Sequence, residues 1–403
     1  LTVSLEKGIN FLTTQEHNPL YFHGALPLYT FWFLIFSGIM LWMYYIPTLE
    51  RAWSSVNYIT ALPVMAGGKV VATDPETGIP YGAIVRGIHR WGAAAMMITT
   101  VLHMLRVYFT DRHRSWRWLP WISGVALLLF VIFVGITGYL LVWDNRAYWL
   151  VVRTQELLVA VPGIGRAMSD FLVGGGTITD YTLTRFFFFH IGGASMIFVL
   201  VWVHFIRLKY PVVTPSRATN FLTFGFILIA AGVFPAVNVT QELLAKYGSD
   251  PRIMQYKDFV ASDAPAHIGT LVANVRYDAW YMFPYYLIEK AGVNWAWMIL
   301  GVSTLLLIVA PFYPKDRRDN IAEVLEAKCT GCTFCSLDCP FEAITMQERA
   351  PGSKFKLIAV VQEARCSECG ICVGACPFQA IELPNTHSKT IEADVLALLN
   401  QGA

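Results

Sequence analysis

Two runs of cysteine carry the plainest chemistry in this chain. Residues 329–340 read Cys-Thr-Gly-Cys-Thr-Phe-Cys-Ser-Leu-Asp-Cys-Pro, and residues 366–377 read Cys-Ser-Glu-Cys-Gly-Ile-Cys-Val-Gly-Ala-Cys-Pro. Both are C-x2-C-x2-C-x3-C-P. The short spacings let three thiolates wrap one corner of a cubane iron–sulfur cluster, while the fourth reaches a second cluster. On this reading Cys329, Cys332, Cys335 and Cys376 hold one 4Fe–4S cluster. Cys366, Cys369, Cys372 and Cys339 hold the other. Zinc knuckles use four ligands without the x3-C-P ending. Phe341-Glu342-Ala343-Ile344 and Phe378-Gln379-Ala380-Ile381 follow the two Cys-Pro pairs, so the segment is an internal repeat.

Four histidines form the second chemical pattern. His89 and His103 are fourteen residues apart in one apolar stretch, and His190 and His204 are fourteen apart in another. At about 100° per residue, fourteen steps fall roughly 40° short of four turns, so each pair shares a helix face with a rise of roughly 21 Å. Two such helices facing each other put two histidine pairs at two membrane depths, an arrangement that suits two six-coordinate haems. Glycine repeats the interval: Gly24 and Gly38 in one stretch, Gly124 and Gly138 in another. Glycine lets a backbone approach a flat macrocycle closely. Arg86 lies three before His89 and Arg106 three after His103, each able to reach outward to a haem propionate.

These residues need apolar scaffolding, and the composition supplies it. Hydrophobic residues make up 55% of the 403 and charged residues 14%, against about 25% charged in ordinary soluble domains. That excludes a nucleic-acid binder, as does the net charge of +2. The average hides a split. Residues 315–403 hold 21 of the 58 charged residues and every cysteine, so this tail reads as a water-soluble module. A bilayer core needs roughly 20 apolar residues in a helix. Six stretches qualify: 28–47, 87–108, 119–143, 186–208, 219–238 and 294–313. Short segments 109–118 and 209–218 are rich in Lys and Arg, and Lys315, Arg317 and Arg318 follow the sixth stretch. The positive-inside rule places them, the N-terminus and the tail on the cytoplasmic side. Residues 154–172 predict short helices on the outer surface, Gly174-Gly175-Gly176 a turn, and residues 315–328 a linker plus a short helix. Residues 1–27 lack the basic start and apolar core of a secretory signal.

Residues 20–313 resemble the cytochrome b of bc- and b–f-type quinol-oxidising complexes. The resemblance rests on the two grids, on Gly138-Tyr139-Leu140-Leu141-Val142-Trp143-Asp144 with Tyr148-Trp149, on Val161-Pro162-Gly163-Ile164-Gly165, and on Thr182-Leu183-Thr184-Arg185-Phe186-Phe187 before His190. It implies that His89 and His190 ligate an outer-side haem b, and His103 and His204 a cytoplasmic-side haem b. Residues 325–384 resemble the bacterial two-cluster ferredoxins. The expected fold is an all-α membrane bundle: six transmembrane helices, a four-helix haem core plus two, with a C-terminal α+β ferredoxin-like domain. The expected domains are 1–218 (dihaem core), 219–314 (two further helices with an outer quinone-site-like loop) and 315–403 (cytoplasmic ferredoxin). The family's outer quinol site carries Pro-Glu-Trp-Tyr. The aligned residues here are Asp278-Ala279-Trp280-Tyr281, so the proton-accepting Glu is replaced by Ala279, leaving Asp278 and Tyr281 as the candidate catalytic pair. Cysteine is missing from residues 1–328, which excludes a thioether-linked extra haem.

Three readings follow. The first is the cytochrome b–ferredoxin subunit of a bacterial or archaeal inner-membrane quinone oxidoreductase, exchanging electrons with a cytoplasmic dehydrogenase or reductase. The second is a bifurcating quinol-oxidising bc-like complex with a Rieske-type partner, in which a c-type cytochrome is also a candidate. The third is an electron conduit or anchor without its own quinone site. The resemblance also implies a dimer embedded in membrane lipid. His17 or His23 is a candidate proton donor to quinone near the cytoplasmic haem.

Overall fold

The computed structural model describes residues 23–60, 64–66, 69–71, 81–109, 112–114, 117–206, 208, 215–233, 264–271, 275, 278, 280–313, 320–363 and 365–384. Two compact units divide them. The first takes the described residues within Leu1–Arg106, Val125–Leu200 and Val212–Leu305. The second takes those within Val107–Gly124, Val201–Pro211 and Leu306–Ala403.

In chain order the first half holds α1 (Ala25–Trp42), α2 (Ala52–Thr60), a small hairpin of β1 (Val64–Ala66) and β2 (Lys69–Val71), α3 (Tyr81–Phe109) and α4 (Trp118–Leu141). Then come α5 (Asn145–Val159), α6 (Gly165–Val173), α7 (Asp180–Phe205), α8 (Arg217–Val233), α9 (Phe283–Ala291) and α10 (Val293–Val309). Among the described residues five helices are long and apolar enough to cross a membrane, and with the cytochrome b-type sequence this makes a multi-pass membrane protein. The fifth predicted span, 219–238, appears as α8, whose 17 described residues rise about 25 Å; residues 234–238 of that stretch lie outside the described residues. Phe221 and Phe226 of α8 are 84% and 72% exposed, a surface suited to lipid rather than water.

Helices α3 and α7 begin about six residues before their predicted starts. Tyr81–Arg86 and Asp180–Arg185 are polar enough to fall outside an apolar window, yet they continue the helical turns. The predicted surface helices are α5 and α6, with α5 beginning at Asn145 because Asp144 caps it: the carboxylate accepts the Ala147 N–H at 2.8 Å. Trp143, fully buried at φ 53°, turns the chain sharply between α4 and α5. The segment after residue 263 seals this corner, with Asn145 N–H donating to Ala264 O and Ala266 N–H to Trp143 O. The core of this unit gathers Trp143, Trp149, Leu150, Leu183, Phe186, Met282 and Tyr285. Gly174, at φ 94°, ends α6 in the left-handed conformation that glycine adopts without strain.

The second unit contains the cysteine-rich domain: β3 (Glu323–Val324), α11 (Phe334–Asp338), β4 (Ile344–Glu348), β5 (Leu357–Val361), α12 (Ile371–Gly374) and β6 (Ile381–Glu382). Strands β4 and β5 form an antiparallel hairpin with Ile344 opposite Val361, and β3 pairs with β6. The short helix expected within residues 315–328 is corrected here. The described part, 320–328, forms β3 and a turn, because Ala322 and Val324 pack into the domain core and β6 offers an open edge.

Asp144→Ala removes the α5 cap and is expected to lower stability by about 1 kcal/mol, read as a lower apparent Tm, whereas Asp144→Asn keeps an acceptor and most of the stability.

Candidate functional site

Each grid glycine lies against an imidazole. A Cβ on Gly38 would sit 3.2 Å from His89 Cε1, on Gly138 2.9 Å from His190 Cε1, on Gly24 3.0 Å from His103 Cε1, and on Gly124 3.3 Å from His204 Cε1. The expectation that these glycines make room for a macrocycle is thus refined: what they admit directly is the histidine ring.

The residue before three of the four glycines completes the contact, and spacing alone does not reveal it. Ser37 Oγ is 3.0 Å from His89 Nδ1, Ser123 Oγ 3.1 Å from His204 Nδ1, and Thr137 Oγ1 3.2 Å from His190 Nδ1. Each hydroxyl donates to a carbonyl of its own helix, Phe33, Pro120 or Val134, so its oxygen accepts from the ring. His190 Nδ1 also lies 2.9 Å from Val134 O, an acceptor only, so the proton sits on Nδ1. The Leu34 and Pro120 backbones take the same part for His89 and His204. Nε2 is then a bare lone pair, the form a metal requires, and such outer hydrogen bonds hold ligating histidines in place. The signal was present in the sequence as Ser37-Gly38, Ser123-Gly124 and Thr137-Gly138. The fourth slot holds His23, which is buried, with no partner for Nδ1 among the described residues. Burial, with Arg106 nearby, holds the His23 imidazole down to about 4, so it is neutral at pH 7. His17 lies outside the described residues.

His89 and His190 face each other with ring centroids 6.2 Å apart. With metal–nitrogen bonds of about 2 Å, imidazoles on opposite sides of one ion have centroids roughly 6 Å apart. The pair lines a cavity of about 470 Å³ with Gly38, Gly138, Arg86 and Arg146, so the donors and space fit a haem. Arg146 was not singled out by sequence.

Asp278 and Tyr281 come together beside this cavity. Asp278 accepts from the Tyr139 hydroxyl, from Arg90 at 3.3 Å, and from the Trp280 and Tyr281 N–H groups at 2.9 and 2.7 Å. Tyr281 donates its hydroxyl to Ala93 O at 2.7 Å, and its ring lies where a Cβ on Gly135 would be. Burial pushes the Tyr281 phenol up. Ala279 lies outside the described residues.

The cysteines fall into two sets. Cys329, Cys332, Cys335 and Cys376 line one cavity, and Cys339, Cys366, Cys369 and Cys372 line another. None of the eight forms a disulfide. Burial pushes the Cys335 thiol up to about 11, helped by Cys332, Cys376 and Cys329. Burial pushes Cys372 up to about 12, helped by Cys369, Cys366 and Cys339. In each set one buried thiol is thus costly to ionise, which suits a cationic cluster core. The loops match across the repeat: Gly331 and Glu368, Thr333 and Gly370, and Glu342 and Gln379 all have positive φ. Such backbone curls turn N–H groups toward a bound anion or cluster. Ala343 N–H donates to Cys339 Sγ at 3.3 Å and Ala380 N–H to Cys376 Sγ at 3.2 Å.

Residues 9–212 match the family model for cytochrome b/b6/petB, and residues 328–380 that for the 4Fe-4S dicluster domain. Cytochrome b6 of Prochlorococcus marinus (strain AS9601) is 32% identical over 199 residues, covering 48% of this chain and 81% of that protein. Cytochrome b6 of Gracilaria tenuistipitata var. liui is 33% identical over 193 residues, covering 48% and 82%. A chain from the solved structure "Hyperthermophilic respiratory Complex III" shares the fold with a TM-score of 0.51 and 23% identity, over 73% of this chain and 75% of that one.

Gly138→Ala is expected to displace His190 and remove one haem's share of the reduced-minus-oxidised absorbance. Gly192→Ala, on the helix that carries His190, with no described neighbour within 4 Å of the added Cβ, leaves the spectrum unchanged.

Proposed function

The chain belongs to the cytochrome b/b6 family and carries a 4Fe–4S dicluster ferredoxin domain behind it, and on that premise we propose that it is the cytochrome b–ferredoxin subunit of a membrane quinone/quinol oxidoreductase. It passes electrons between the quinone pool, two b haems and two 4Fe–4S clusters. His89 and His190 are the axial ligands of one haem, and their 6.2 Å ring separation is the observation that carries this reading. His103 and His204 are the ligands of the other, supported by the shared fourteen-residue interval and by the glycine beneath each ring. Arg86 and Arg106 serve the propionates. Cys329, Cys332, Cys335 and Cys376 hold one cluster, and Cys366, Cys369, Cys372 and Cys339 the other, in keeping with the two four-thiol cavities.

Bound haem and clusters supply one-electron carriers whose potentials follow ligand identity, hydrogen bonding and burial. This chain's residues orient the imidazoles, keep Nδ1 protonated, and aim N–H groups at the thiolates. By the positive-inside rule the ferredoxin domain and N-terminus lie in the cytoplasm. The redox partner there is a soluble dehydrogenase or reductase, and the subunit sits in a larger, dimeric complex.

The bifurcating alternative needs an outer base that accepts a proton from quinol. Asp278 is a poor candidate, because Arg90, Tyr139 and two backbone N–H groups already occupy its oxygens. We assign it to anchoring the loop that carries Tyr281. A neutral His23 likewise fits a hydrogen-bonding role near the cytoplasmic haem better than that of an imidazolium donor.

In the purified complex, Cys369→Ser is expected to slow haem reduction by a soluble low-potential donor at least tenfold. Asp278→Asn is expected to leave quinol-driven haem reduction within twofold. The reverse pattern supports the bifurcating reading, and haems that respond to neither quinone nor quinol support the conduit.

A further inference from the structure

The first stretch of polar chain after α3 meets the ferredoxin domain within one compact unit. Arg117, just before α4, places its guanidinium 4.0 Å from the centroid of the Phe341 ring. Phe341 is two residues beyond Cys339, the thiol that sits with Cys366, Cys369 and Cys372. Among the described residues, Arg112 and the Cys369 and Cys339 thiols act electrostatically on Arg117. The four thiols of the other set are not among them.

Further ties hold this loop and the start of α4 to the C-terminal end of α10 and the residues just after it. Arg114 donates to Tyr313 O, Trp121 Nε1 donates to Leu307 O at 2.6 Å, and the Trp118 and Phe312 rings lie 6.2 Å apart. The same helix leads to a haem ligand. Ser123 and Gly124, which cradle His204, are six and seven residues beyond Arg117, roughly 9 Å along a helix.

We propose that the two clusters have fixed and unequal places: the cluster held by Cys366, Cys369, Cys372 and Cys339 is the inner one, in electronic contact with the His204 haem, and Arg117 is the positioning residue that holds it there. The cluster held by Cys329, Cys332, Cys335 and Cys376 is then the outer one, which exchanges electrons with the soluble partner. This rests on the cluster assignment above. A cation beside two thiolates favours the more negative, reduced cluster, so Arg117 also raises the inner cluster's potential. The outer cluster, beyond its reach, keeps the lower value.

The test is a potentiometric EPR titration of both clusters in the intact complex. Cys332→Ser and Cys369→Ser, each perturbing one signal, identify outer and inner. Arg117→Ala is expected to lower the inner cluster's potential by roughly a tenfold change in its reduction equilibrium, about 59 mV for one electron. It leaves the outer cluster unchanged and slows electron exchange with the haem. Arg117→Lys restores most of the potential. Phe341→Leu, which keeps the charge but removes the ring, slows exchange with a smaller shift. A shift confined to the outer cluster, equal shifts in both, or a rise of the inner cluster, as simple undocking into water produces, overturns the proposal. Absence of any cluster signal in the wild type sinks the cluster assignment itself.

Discussion

A polar ring inside a membrane helix must have both nitrogens satisfied, and this constraint organises the helices that carry His89, His190 and His204. Unpaired polar groups cost several kcal/mol in hydrocarbon. For three of the four histidines the structure meets that cost on one side with protein, a hydroxyl and a carbonyl one turn back on a neighbouring helix. The other nitrogen is left for metal. The glycine follows from the hydroxyl: a ring that reaches a residue's side chain and the carbonyl three positions before it must lie over the next residue, and any Cβ there would strike it. At three of the four places the repeating glycine therefore belongs to a serine- or threonine-glycine pair on one helix that faces a histidine on its neighbour.

The second unit answers a different problem. Eight thiols gathered in a small domain repel one another when ionised, and burial adds to the difficulty at Cys335 and Cys372. The repeated left-handed residues and the N–H groups directed at Cys339 and Cys376 ease it, as does the iron that the cavities suit. The repeat makes the two sets nearly alike in backbone. What distinguishes them is their surroundings, chiefly Arg117 on one side.

Much of this was legible in the sequence because the chemistry leaves periodic marks. Histidine at equal intervals, glycine at the same interval, and C-x2-C-x2-C-x3-C-P each impose a geometry regardless of context, and the five spans and two surface helices follow from apolar length. The remainder depends on partners far apart in sequence. Nothing near Ser37, Ser123 or Thr137 announces a ring 52, 81 or 53 residues away. Asp278 reads as a substitute base by position alone; only its meeting with Arg90 and Tyr139 shows its oxygens taken. Strand β3 was read as helix because a two-residue strand has no period to detect. Arg117 read as one more positive charge on a cytoplasmic loop.

The central claim is that one chain carries bis-histidine haem and cubane clusters together. Low-temperature EPR with haem and non-haem iron analysis on the purified protein tests it most directly. The account predicts two low-spin b haems and two 4Fe–4S clusters per chain, with the haem signals shifted when Ser123 or Thr137 is replaced by Ala. High-spin haem, zinc in place of iron, or no b-type absorption at all would contradict it.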